Sequence, residues 1–168
     1  MKKESLNRIH LDNPDNLTQE DVKDFSIRYA ARAIMITPEN KVVLIFADHK
    51  IHTVIGGGVE KGESFVEALH RECKEETGYN IEIIEPLGYI EFWRKDKKRI
   101  SIGHGFLVKT IGVQDKLSIT NEEIEEGHEV REYEYDKAIR IVTSELEKYN
   151  EVSSSRTLMF LKEAQKHL

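Results

Sequence analysis

The sequence of 168 residues holds one cysteine, Cys73, and only three prolines. A lone cysteine forms no internal disulfide, which fits a reducing compartment such as the cytoplasm. No apolar run approaches the roughly 20 residues that span a bilayer, so no membrane partner is expected. The N-terminal stretch MKKESLNRIHLDNPDNLTQ starts basic but lacks the apolar segment of a secretory signal. No repeat, low-complexity tract or Pro/Gly/Ser-rich linker divides the chain, and its length suits one domain. An excess of positive charge is also missing: 25 basic residues stand against 31 acidic ones, a formal net charge of −6. That argues against nucleic acid as a partner, since non-specific binding needs a basic footprint. A phosphorylated small molecule is not excluded, because a divalent cation can bridge two negative partners.

What is present reads as alternating strands and helices. Residues 1–24 are polar, with a turn signal at Asn13-Pro14-Asp15, and read as an N-terminal arm or an edge element. The domain is assigned to 25–168. Ile27 to Thr37 and the apolar run Val42 to Phe46 read as a hairpin around Pro38-Glu39-Asn40-Lys41, the second strand buried on both faces. Val54-Ile55 leads into Gly56-Gly57-Gly58. A helix over 64–77 is followed by strands at 81–84, 89–93 and 100–110, with a basic turn at 94–99. An acidic loop at 118–129, a strand near 130–135 and helices at 136–149 and 155–168 complete an α/β fold with a mixed sheet.

The helix at 64–77 carries the chemistry. Ser64 and Glu67 make a capping-box pattern, and Gly78 supplies the stop. Phe65, Ala68 and Leu69 form an apolar stripe, with His70, Arg71 and Lys74 on the wet side. The stripe continues as Glu72, Glu75 and Glu76. Like charges at these spacings repel by roughly 0.2–0.5 kcal/mol per pair. Acids in the last turn also oppose the helix dipole at roughly 0.3–1 kcal/mol each. Such a run, taken alone, is commonly a solvated helix end. Set beside a glycine run that lets backbone approach a ligand closely, it suits a hard divalent cation, Mg2+ or Mn2+.

The spacing from Gly57 through Glu63 to Arg71-Glu72-Cys73-Lys74-Glu75-Glu76-Thr77-Gly78-Tyr79 resembles the Nudix hydrolase signature, G-x5-E-x7-R-E-U-x-E-E-x-G-U, with U a bulky apolar residue. Every fixed position matches. Cys73 and Tyr79 fill the U positions, where an aliphatic residue is usual, and Ile55 stands where the family often has proline. The resemblance implies an α/β/α sandwich and a hydrolase for a nucleoside diphosphate linked to another moiety. It implies Glu72 and Glu76 as main ligands of Mg2+ or Mn2+, helped by Glu75 and the Gly56 carbonyl. Glu63 and Arg71 complete the catalytic constellation, Arg71 orienting a carboxylate. In similar enzymes the general base is either the acid at Glu72 or one from a later loop, here Glu125 or Glu126.

Recognition is less legible. Gly57, Gly58 and Arg32, with Arg28, are expected to face phosphates. Phe46, Tyr89, Phe92 and Trp93 are candidates for stacking on a base, weighed against core packing. The basic turn at 94–99 is weighed with Arg28 and Arg32 as a group that steers phosphates, a solvated turn being the favoured reading, and His104 is read as a satisfied sheet histidine ahead of a catalytic one. No motif marks NADH, coenzyme A or diadenosine polyphosphates. A proline 15 residues past Tyr79 would suggest ADP-ribose, and Arg94 stands there. The expected substrate is a small-molecule nucleotide, first a nucleoside triphosphate or modified triphosphate and second a nucleoside diphosphate sugar. A catalytically retired nucleotide-binding regulator is the alternative of another class, and homodimerisation stays open.

Overall fold

The computed structural model describes residues 7–115 and 127–168. Seven strands form one mixed sheet: β1 (Arg8–Asp12), β2 (Ser26–Ile36), β3 (Lys41–Ala47), β4 (Ile51–Thr53), β5 (Asn80–Arg94), β6 (Arg99–Ile111) and β7 (Glu129–Glu134). Their order is β1-β5-β6-β2-β3-β4, with β7 also paired to β3. The β2–β6 and β1–β5 pairs are parallel and the others antiparallel. Among the described residues the α-helices are α1 (Phe65–Thr77), α2 (Tyr135–Tyr149) and α3 (Val152–Ala164).

Alternation along β2 sorts the two faces. Ala31, Ala33 and Met35 pack with Ala68, Leu69 and Cys73 of α1. Ile34 and Ile36 pack with Ala138 and Val142 of α2 and with Leu158, Phe160 and Leu161 of α3. The sheet is therefore covered on both sides, the expected α/β/α sandwich. β3 is buried on both faces, Val42 and Leu44 in one cluster and Val43 and Ile45 in the other. Cys73 is fully buried, which is the aliphatic job its place in the signature requires.

One strand expectation changes and one open alternative is decided. Residues 81–84 and 89–93 belong to one strand, β5, whose pairing with β6 slips at 83/85 and again at 86/88. Pro86 lacks a ladder donor and Gly88 takes a φ of 116°, so the irregularity bends the strand without ending it. In the polar N-terminal stretch, Arg8–Asp12 pairs in parallel with β5 as the sheet's edge.

α1 begins and ends as its residues dictate. Ser64 Oγ accepts from the Glu67 amide at 3.2 Å, and Glu67 Oε2 accepts from the Ser64 amide at 2.8 Å. Gly78 closes the helix at φ 73°, its amide donating to the Lys74 carbonyl at 2.9 Å. The preceding chain lies along β2: Ala33 N–H donates to the Ile55 carbonyl and Ala31 N–H to the Gly57 carbonyl. The glycine run is thereby fixed between the edge of β2 and the flank of α1.

Candidate active site

The acids of this region gather around one guanidinium. Arg71 donates from Nε to Glu63 Oε1 at 2.8 Å and from Nη2 to Glu63 Oε2 at 2.9 Å. Its Nη1 reaches Glu72 Oε1 at 2.8 Å and Glu75 Oε2 at 3.2 Å, and Nη2 also donates to the Gly58 carbonyl at 3.0 Å. Only the planar five-donor fork of arginine serves so many acceptors at once. The bonds from Arg71, then one from the Glu60 amide, hold the Glu63 carboxyl down at about 2. Glu63, against the opposing effect of burial, lifts the Arg71 guanidinium above its usual value.

This corrects the helical-wheel reading of Arg71 as a wet-side residue. Its side chain is 25% exposed. The guanidinium sits several bonds from Cα, so the wheel position of the backbone does not fix where the charge ends. The stripe is corrected too: its buried part runs through Cys73 and Thr77. Glu72 and Glu76 are half-buried on its flank, and Glu75 is exposed.

That flank faces the glycine run. Glu76 Oε2 accepts from the Gly56 amide at 2.8 Å. A Cβ on Gly57 would lie 2.5 Å from Glu72 Cδ, so only a glycine lets the backbone pass this close. Gly56 has a φ of 123°, and its carbonyl takes no part in the bonds that tie Ile55 and Gly57 to β2. Among the described residues, no group of three or more His, Cys, Asp or Glu side chains is arranged to hold a metal ion as it stands. Arg71 and the Gly56 amide occupy carboxylate oxygens instead. The donors still fit a hard divalent cation in kind: carboxylates of Glu72, Glu75 and Glu76 beside a glycine turn. Glu122, Glu123, Glu125 and Glu126 lie outside the described residues. Glu129, at the start of β7, accepts from Arg131 Nη2 at 2.7 Å.

Arg32 stands on β2 next to this region. Burial lowers its pKa, and the charges of Glu76 and Glu72 oppose that shift. Arg28 approaches Gly58, its Nη2 3.4 Å from where a Cβ would be. The aromatic candidates are largely absorbed by packing. Phe92 and Trp93 are buried, Phe46 lies under the Arg131 guanidinium at 3.8 Å, and Tyr89 stacks on His104 at 5.6 Å. His104 is not satisfied, contrary to expectation. Its Nδ1 is buried without a hydrogen-bond partner, burial lowers its pKa, and it stacks on Phe65 at 3.9 Å. It serves here as a stacking ring between Phe65 and Tyr89.

The turn at 94–99 is not merely solvated either. Arg94, Lys97 and Arg99 line a cavity shared with Arg28, Arg32 and Arg156. No spacing in the sequence brings the whole set together, because three separate stretches, 28–32, 94–99 and 156, supply its charges.

A family model described as NUDIX domain matches residues 27–152. The solution structure of the E. coli ORF135 protein is 19% identical with a TM-score of 0.59, the match covering 86% of this chain and 92% of that one. A NUDIX hydrolase from Nitrosomonas europaea is 12% identical with a TM-score of 0.66, covering 84% and 90%. A MutT NUDIX hydrolase from Burkholderia pseudomallei is 18% identical with a TM-score of 0.54, covering 66% and 85%. No curated protein sequence matches the chain. Structural likeness at these identities speaks for the fold, while the family match takes in the glycine turn, Glu63 and the whole of α1. On that match the chain belongs to the Nudix family and is a Nudix hydrolase.

Proposed function

We propose that the protein hydrolyses a phosphoanhydride bond in a nucleoside diphosphate-linked substrate, first a nucleoside triphosphate or modified triphosphate, giving the monophosphate and pyrophosphate. The observation that carries this reading is the placement of Glu72 and Glu76 against the Gly56-Gly57 turn, with Arg71 and the Gly56 amide holding their oxygens.

In this reading Glu72 and Glu76 hold the divalent ion, with Glu75 and the Gly56 carbonyl beside them; Mg2+ is the proposed identity and Mn2+ the alternative. When bound, the ion supplies charge neutralisation and a more acidic water. Arg71, anchored by Glu63, sets the direction of the Glu72 carboxylate. Gly57 and Gly58 leave room for phosphate oxygens close to the backbone, and Arg32 balances their charge from β2. The proton lost by the attacking water passes to a carboxylate, either Glu72 or an acid of the 118–129 loop, with Glu125 and Glu126 the proposed members.

A substrate panel tests this: triphosphates, modified triphosphates, nucleoside diphosphate sugars and dinucleotides in Mg2+ or Mn2+, with phosphate and pyrophosphate measured separately. Pyrophosphate release from a triphosphate supports the proposal. Cleavage of sugar diphosphates alone would move the substrate class. Tight nucleotide binding with no cleavage across the panel would make the protein a binding module. The complete set of Glu63, Arg71, Glu72, Glu75 and Glu76 argues against that last outcome, since binding alone does not need all five.

A further inference from the structure

On the α3 side of the sheet, where α3 begins, lies a cavity of about 360 Å3, within the usual size of small-molecule sites. Six cations line it: Arg28 and Arg32 from β2, Arg94 from the end of β5, Lys97 from the turn, Arg99 from β6 and Arg156 from α3. Among the described residues one carboxylate reaches it, Glu151, which already accepts from Lys50 Nζ at 2.6 Å. A chain of net charge −6 has concentrated positive charge in one open cleft.

Among the described residues this concentration is matched only in part. The Nε atoms of Arg32, Arg99 and Arg156 are buried and, among those residues, have no hydrogen-bond partner. Arg94 pairs with Asp96 at 3.6 Å. A buried donor left unmade pays its full desolvation, and like charges add repulsion. Burial, then the nearby charges of Arg32 and Arg28, push Arg156 down to about 9, still a cation at neutral pH. The N-terminus of α3 adds a further unmatched feature: its N-cap, Glu151, makes no side-chain cap bond, and Val152 and Ser153 line the cavity. Unsatisfied amides at a helix start favour an anion. Phe92, the aromatic ring in the lining, is 5% exposed, so the cavity offers little face for a base to stack on.

Two residues of β2 stand between the cavity and the hydrolytic centre: Arg32, which feels the charges of Glu76 and Glu72, and Arg28, whose Nη2 lies 3.4 Å from where a Cβ on Gly58 would be, Gly58 giving its carbonyl to Arg71. We propose that it binds a phosphomonoester carried by the substrate away from the scissile phosphoanhydride. The inference rests on the reading of Glu72 and Glu76 given above for where cleavage occurs. It narrows the substrate to one whose phosphoanhydride is accompanied by a separate phosphomonoester, a modified triphosphate or a phosphorylated diphosphate conjugate rather than an ordinary nucleoside triphosphate. Binding of that group is to arginine and needs no divalent ion.

Two measurements test it. The first is calorimetric binding of inorganic phosphate and of tripolyphosphate in EDTA, to wild type, Arg156→Gln, Arg99→Gln and Glu72→Gln. The proposal predicts binding that weakens by about tenfold or more in each arginine variant, the worth of one charge-assisted hydrogen bond, and that persists in Glu72→Gln. The second is kcat/KM in Mg2+ for pairs differing by one phosphomonoester. NADPH against NADH serves for a nucleotide-borne phosphate, and diphosphorylated sugars with and without a second phosphate serve for a sugar-borne one. The phosphorylated member of at least one pair should be preferred, and both arginine variants should erase the preference. Absence of metal-free binding, or binding unchanged in both folded arginine variants, overturns the proposal. Metal-free binding at the arginines without hydrolysis of any substrate would instead sink the hydrolytic reading and leave the anion site standing. Two arginine variants from different elements guard against one failing to fold.

Discussion

Arg71 and Glu63 meet in a two-pronged ion pair, Nε to Oε1 at 2.8 Å and Nη2 to Oε2 at 2.9 Å, across eight residues of sequence. Lysine in place of Arg71 keeps the charge and loses the fork. Arg71→Lys is expected to lower kcat by about a hundredfold, as small misplacements of a catalytic carboxylate do, while KM moves far less. Steady-state kinetics with a circular-dichroism control checks this, and a near-native kcat would remove Arg71 from the positioning role.

The same pair predicts a pH dependence of stability. The folded Glu63 carboxyl sits at about 2, below its ordinary 4.5. A depressed folded value means the unfolded chain takes the proton first as pH falls. The contribution of Glu63 is therefore complete above about 4.5 and drains away as pH falls toward 2. Thermal midpoints in metal-free buffer across that window should fall less steeply for Glu63→Gln than for wild type; parallel curves would contradict the assignment.

Adjacent glycines should respond differently to alanine. At Gly57 the new Cβ meets the end of the Glu72 side chain, which can move aside. Gly57→Ala should fold normally and lose most activity. At Gly56 the φ of 123° and the Ala31 carbonyl leave no room, so Gly56→Ala should lose about 1–3 kcal/mol or more of stability. Urea denaturation beside an activity assay separates the two.

Much of this region was legible in the sequence because it is local. The capping box, the Gly78 stop and the spacing of Glu63, Arg71, Glu72 and Glu76 all lie within one turn and one helix. What the helix wheel misplaced was a long side chain: Arg71 leaves its nominal face to bind three acids. Removing charge at Glu72 relieves repulsion but also breaks the bond from Arg71 Nη1, so no net gain in stability is expected there. The cationic cavity was legible only in part: Arg28, Arg32 and the turn at 94–99 were candidates for phosphates, but Arg156 was not, because parallel pairing of β2 with β6 and the docking of α3 bring these charges together.

The acidic loop yields a graded expectation. If Glu125 or Glu126 holds metal or takes the proton, its glutamine variant should lose about a hundredfold or more in rate, within the range for acid–base groups. Glu122, Glu123 and Glu129 should be nearly neutral on substitution. Uniformly small effects across all five would leave Glu72 as the base.

The most direct test of the central claim is hydrolysis of the best substrate in the panel by wild type, Glu72→Gln and Glu76→Gln, in saturating Mg2+ and in EDTA, with folding checked in each. The account predicts turnover by wild type in Mg2+ alone, and loss of most turnover in both variants while their folded structure persists. Near-native kcat in either variant, or wild-type hydrolysis that continues in EDTA, would contradict it.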